Sequence, residues 1–188
     1  MRVRLFWKLS LTYLLLLFLV LVAVDLYAAR LLRRDYLRAG FEQLESLAQL
    51  ARTHPPEGKD PAALRAWSAW MAGSGARVTV VGADGRVWAD SHQDPQGMEN
   101  HADRPEIQQA LAAGQGQALR FSKTLEREML YLAFRTTPAA GEPLLIRLAL
   151  PLAPIDAALN EIRWRLATAS FLLLLLGAGG SLLFSRGF

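Results

Sequence analysis

Two runs without charge frame the chain, LSLTYLLLLFLVLVAV between Lys8 and Asp25 and LATASFLLLLLGAGGSLLFS from Leu166 to Ser185. Each is close to the ~20 apolar residues that cross a bilayer as a helix, which predicts transmembrane helices at 9–29 and 166–185. After the first, LYAARLLRRDYLRAGFEQLESLAQLARTH is broken only by Gly40, so the helix is expected to continue to His54-Pro55-Pro56. Leu37, Phe41, Leu44, Ala48 and Ala51 follow alternating four- and three-residue steps, a heptad seam that serves either the chain's own domain or a dimer. Asp60-Pro61 supplies a cap and a first-turn proline for DPAALRAWSAWMAG, whose Trp67, Trp70 and Met71 share one face and are expected in the core.

From Arg77 the period changes to two. RVTVV, the turn GADG and RVWADS read as a hairpin, and QALRFSK, EMLYLAFRTTP and PLLIRLALPL as further strands. Together they predict a five-stranded antiparallel sheet. Between the second and third strands, DRPEIQQALAAG reads as a helix capped by Asp103 and stopped by Gly114. Past Pro151, PIDAALNEIRWRLATASF carries no breaker before the second apolar run, so a helix is expected to enter the bilayer without interruption. The class is α+β: a sheet domain with a long N-terminal helix, spanning 30–165 and flanked by two transmembrane helices.

Charge refines this layout. The net +4 suggests nucleic acid only until its position is noted: Arg2, Arg4, Lys8 and Arg186 lie outside 30–165, which holds 17 basic and 16 acidic residues. The basic residues that remain bunch beside the membrane, at Arg30, Arg33, Arg34 and Arg38 and at Arg163 and Arg165, where lipid phosphates and not a DNA groove await them. Nucleic acid is not an expected partner. Arg2, Arg4 and Lys8 also suit a signal peptide, but the apolar stretch is longer than the ~7–15 residues of such a region and favours an uncleaved anchor. Asp25 is expected to pair with Arg30 or a head group. With no cysteine, the domain folds without disulfides.

The order and spacing of DGRVWADS (84–91), MENHADRPEI (98–107), AL (110–111), LRFSKTL (119–125) and MLYLA (129–133) resemble the extracytoplasmic PAS-like (single Cache) sensor region of phosphate-regulon-type transmembrane sensor histidine kinases. That resemblance implies a cytoplasmic N-terminus at 1–8, an extracytoplasmic PAS-like sensor at 30–165, and at 186–188 the start of a HAMP-like output. It implies a two-pass protein of the bacterial inner membrane, a homodimer, a response regulator served through a kinase core and an accessory membrane protein as a further partner. ATP and Mg belong to that kinase domain; no cofactor is expected within residues 1–188. None of the three histidines has the His-Glu-x-x-x-Pro setting of a phosphoacceptor, and there is no nucleotide-binding glycine box.

Candidate chemistry concentrates in RVWADSHQDPQGMENHADRPE (86–106), with two of the three histidines and five carboxylates. A metal site lacks any recognised ligand spacing, so the residues are expected to hold a structural loop. Asp90 and Ser91 bond its backbone, Asn100 and Asp103 cap the following helix, Glu99 clamps Arg104, and His101 belongs to the same signature. Such a loop tolerates chelators. No G-x-S-x-G turn is present and no catalytic residue is expected. Arg120, Ser122, Tyr131 and Arg135 alternate along two neighbouring strands and form a candidate anion-binding set, or else face solvent. Three functions follow: the input module of a two-component kinase, a stand-alone ligand- or protein-binding regulatory module, or the input domain of a chemoreceptor or cyclic-dinucleotide enzyme.

Overall fold

The computed structural model describes residues 2–122, 126–137, 143–152, 160–172, 175–176 and 179. Helix α1 (Arg2–Thr53) is followed by α2 (Pro61–Ala72), strands β1 (Arg77–Gly82) and β2 (Val87–Asp90), a 3-10 turn (Pro95–Gly97), α3 (Pro105–Ala113), and strands β3 (Gln115–Ser122), β4 (Arg127–Thr136) and β5 (Leu144–Pro151). A further helix runs through 160–172. The chain forms two compact units, Leu37–Ala153 and the termini, Met1–Tyr36 with Pro154–Phe188.

Among the described residues one helix, Leu11–Thr53, is long and apolar enough to cross a membrane, and none of its most apolar stretch is buried. Leu16 and Leu19 are 62% and 58% exposed, an arrangement that hydrocarbon favours and water penalises. The expected second span lies partly outside the described residues, as do Gly177, Ala178, Gly180 and Ser181 with their small-residue spacing. Asp25, expected to pair with Arg30 or a lipid head group, has a buried Oδ1 without a hydrogen-bond partner among the described residues.

In the unit Leu37–Ala153 the sheet order is β2-β1-β5-β4-β3, antiparallel throughout. The chain's last strand thus sits in the middle, which explains why PLLIRLALPL is nearly all apolar: β5 is buried on both faces. Alternation divides the sheet. One face presents Leu130, Leu132, Phe134, Ile146, Leu148, Val78 and Val80, each fully buried. At 25–30 cal/mol per Å², each such side chain contributes about 1.5–3 kcal/mol.

Helix α1 covers β4 on that face. Gly40 allows the approach, since a Cβ there would meet Leu130 Cδ1. The Arg52 guanidinium lies 4.6 Å over the Phe134 ring and donates to Gln115 at 2.5 Å, while Gln115 donates to Glu45 at 2.7 Å. Leu44, Ala48 and Ala51 are fully buried, and Leu37 and Phe41 half-buried, so the heptad stripe packs within its own domain.

Two expectations are corrected. Helix α2 buries Leu64, Ser68 and Met71, steps of four and three that leave Trp67 and Trp70 on the flanks. Trp67 Nε1 instead donates to His54 O at 2.8 Å and Trp70 is 54% exposed, its ring 6.0 Å from that of His54. The rings cover the turn after α1. Helix α3 starts from Arg104 with no side-chain cap, Pro105 filling its first position. Asp103 and Asn100 do not cap it: Asp103 pairs with Arg104, and Asn100 bonds Asp84 O and Ala102 N. Gly114, at φ +85°, ends the helix as expected.

Candidate functional site

Opposite α1, the other sheet face is polar at its centre. Alternation sets Arg77 on β1, Arg147 on β5, Tyr131 on β4 and Arg120 with Ser122 on β3 to the same side. Ile107 and Ala110 of α3 close one end of this face in an apolar cluster with Val81, Ala133 and Leu145. Beyond that cluster the face opens into a cavity of about 460 Å³, bounded by those four polar strand side chains, Tyr131, and Gln93, Gly97, Met98, Glu99, His101, Arg104 and Phe121.

Its floor is an ion triad. Glu106, fully buried, accepts from Arg147 Nε at 2.8 Å and from Arg120 Nη2 at 3.4 Å, both through Oε1. Both guanidinium groups lie over the Tyr131 ring, at 4.0 and 4.7 Å. Burial lowers the pKa of Arg147 and the neighbouring Arg120 charge acts in the same direction, while the Glu106 carboxylate opposes them. An arginine so placed keeps its charge.

The wall between β2 and α3 is held by the residues of the signature. Asp90, its side chain fully buried, accepts from Arg77 Nε at 3.2 and 3.0 Å, from Thr79 Oγ1 at 2.7 Å, and from the backbone N–H groups of His92 and Gln93 at 2.8 and 3.0 Å. Ser91 Oγ accepts from Val78 N at 3.0 Å. Farther along, the β1–β2 turn clasps the loop: His101 N donates to Gly85 O at 2.8 Å and Asn100 Nδ2 to Asp84 O at 3.0 Å. A side chain on Gly85 would collide with Asn100 and Ala102, so DG at 84–85 and ENHA at 99–102 form one joint.

That joint aims His101 into the cavity. Burial first, then the charges of Arg147 and Arg104, lower its pKa from 6.5 to about 4 against a backbone hydrogen bond at Asn100, and its Nδ1 is buried without a hydrogen-bond partner among the described residues. The ring is neutral at pH 7 and one of its nitrogens stands unsatisfied. Arg104 is ion-paired to Glu99 at 3.1 Å and to Asp103 at 3.4 Å.

Of the candidate anion set, Arg120, Ser122 and Tyr131 meet in the cavity. Arg135 does not: it follows Ala133 past the end of α3, where its side chain is exposed and its backbone N–H bonds Gly114 O. Sequence reasoning passed over Arg77, Glu106 and Arg147. The available signal was Arg147 itself, a lone charge within an otherwise apolar strand. Among the described residues no three His, Asp or Glu side chains converge as a metal site, and the Asp90 oxygens are occupied by donors. Arg77 is matched by Asp90 and Arg104 by Glu99 and Asp103, whereas Arg147 and Arg120 share the single carboxylate of Glu106; the excess positive charge therefore lies at that pair, which can hold a small anion through forked, charge-assisted hydrogen bonds.

No family model and no curated protein matches the chain. Among solved structures, the E. coli DcuS sensor domain is similar with a TM-score of 0.46 and 12% identity, over 63% of this chain and 98% of that one. The sensor domain of the V. cholerae histidine kinase DctB is similar with a TM-score of 0.49 and 15% identity, over 68% of this chain and 58% of that one. Likeness at this level assigns neither a family nor a ligand.

Proposed function

We propose that this chain is the sensory input module of a two-component signal-transduction histidine kinase, anchored in the bacterial inner membrane by two helices. Residues 30–165 face outward and bind a small anion in the arginine-lined cavity. The observation that carries this reading is the Arg147–Glu106–Arg120 triad under an open cavity. Buried charges cost several kcal/mol each in desolvation, and a chain that needed only stability would fill β5 with another aliphatic residue. The resemblance of segments 84–91 and 98–107 to kinase sensor regions supports the assignment to this class of receptor.

The mechanism rests on the sheet. Ligand on one face changes the packing of β4 and β5, and the opposite face of β4 carries α1 through Leu130 and Phe134. In a homodimer, a small displacement of α1 against its partner passes along the helix toward the cytoplasm. Kinase chemistry, with its ATP and Mg, belongs to the output domain of such a kinase.

Calorimetric titration of the full chain in lipid nanodiscs with inorganic phosphate and with acetate and succinate tests the reading. Saturable binding of one of them, lost in Arg147→Gln, is the expected result. Absence of binding by all three would refute anion sensing and leave a domain that reads a protein or the bilayer.

A further inference from the structure

The anion reading raises a question that the triad answers: what neutralises the cavity's arginines when no ligand is present? Glu106 Oε1 serves both Arg147 and Arg120. It is the only carboxylate oxygen, among the described residues, within ion-pair distance of either. Two cations thus share one anion, and the pair keeps an excess charge. Their remaining donors are not all used, since Arg120 Nε is buried without a partner among the described residues. Glu106 belongs to the first turn of α3, a separate element from the strands that carry the arginines, so its carboxylate can withdraw without unpairing the sheet.

We infer that Glu106 is a built-in competitor: its carboxylate occupies the Arg147–Arg120 pair in the way a ligand carboxylate or phosphate would, and so sets the concentration at which the sensor responds. The inference rests on the anion site proposed above. An incoming anion has to share these guanidinium groups with Glu106, and repulsion between the two negative groups weakens binding and pushes the first turn of α3 away from β5. Glu106 reaches the output path through Arg147 of β5. It acts as a threshold residue, and the α3 displacement is the first step of the signal.

Replacing Glu106 with glutamine removes the competing charge and leaves a group of the same shape. The test is calorimetric titration of the full chain in nanodiscs with inorganic phosphate and with succinate, for wild type, Glu106→Gln and the charge-restoring double variant Glu106→Gln/Arg120→Gln. Removal of one negative charge at contact range predicts about ten-fold tighter binding by Glu106→Gln. The double variant returns toward wild type. Tighter binding of phosphate alone or of succinate alone identifies which class of anion the pair is shaped for.

Binding by wild type with equal or weaker binding by Glu106→Gln would overturn the competitor role and leave the anion site standing. Binding by neither protein would overturn the anion site itself. If Glu106→Gln does not fold, Glu106→Asp draws the charge back by one methylene, and there about a three-fold gain is expected; unchanged affinity would count against the inference.

Discussion

At the scale of single residues, the domain's polar interior divides into groups that are satisfied and groups that wait for a partner. Asp90 is of the first kind: four donors make five hydrogen bonds to a buried carboxylate. Asp90→Ala leaves Arg77 buried and unpaired, a loss of about 3–5 kcal/mol, to be read by urea unfolding of the chain in micelles. His101 is of the second kind, and its linkage has a definite sign. Its folded-state pKa of about 4 lies below the 6.5 of the unfolded chain. Below pH 6.5 the unfolded state therefore binds a proton that the folded state refuses, and stability falls as pH drops toward 4. Unfolding midpoints measured from pH 7.5 to 4.5 should decline more steeply for wild type than for His101→Gln; parallel curves would remove His101 as the cause. The signature loop was legible in the sequence as a cluster of polar residues. Its partners were not, because Arg77 and Thr79 reach Asp90 across a strand pair whose register no local pattern gives.

Elements were easier to read than contacts. Periods of two and of three to four residues locate the described strands and α-helices of the unit Leu37–Ala153, though not the 3-10 turn Pro95–Gly97, and the Asp60 and Gly114 boundaries stand where their backbone chemistry requires. The sheet order was not available from periodicity, since β5 inserts between β1 and β4 through pairings far apart in the chain. For the same reason Arg147 went unnoticed: only the central position of β5 makes its charge a buried one. Glycines at two element ends show how much of this rests on docking and how much on backbone alone. Gly85 and Gly114 have nearly equal positive φ, 81° and 85°, but a Cβ at Gly114 meets open space whereas one at Gly85 meets Ala102 N and Cβ and the Asn100 side chain. Gly114→Ala should cost about 1–2 kcal/mol, the left-handed penalty alone. Gly85→Ala should cost more than that and detach the 99–102 loop, which hydrogen exchange at His101 N–H would show as lost protection. Equal costs for the two substitutions would mean that the loop is not held by the turn.

For the whole molecule, the outstanding quantity is topology, because an anion sensor of this design works only if the cavity faces the compartment where the anion varies. Charge alone does not orient the chain, since arginines flank the first apolar run on both sides. The cysteine-free sequence offers a direct measurement: each introduced cysteine is the only thiol present. Ala112 is exposed on α3, clear of both the triad and the cavity. Ala112→Cys should be modified by a membrane-impermeant maleimide in intact cells, and Val3→Cys only after the membrane is permeabilised. The reverse pattern would place the arginine cavity in the cytoplasm, and the same triad would then report on an intracellular anion. Labelling of both positions in intact cells would mean that the apolar part of α1 does not cross the bilayer. Because Leu11–Thr53 joins the apolar run to the stripe that packs on β4, the orientation found for Ala112 also fixes the direction in which any displacement of α1 travels.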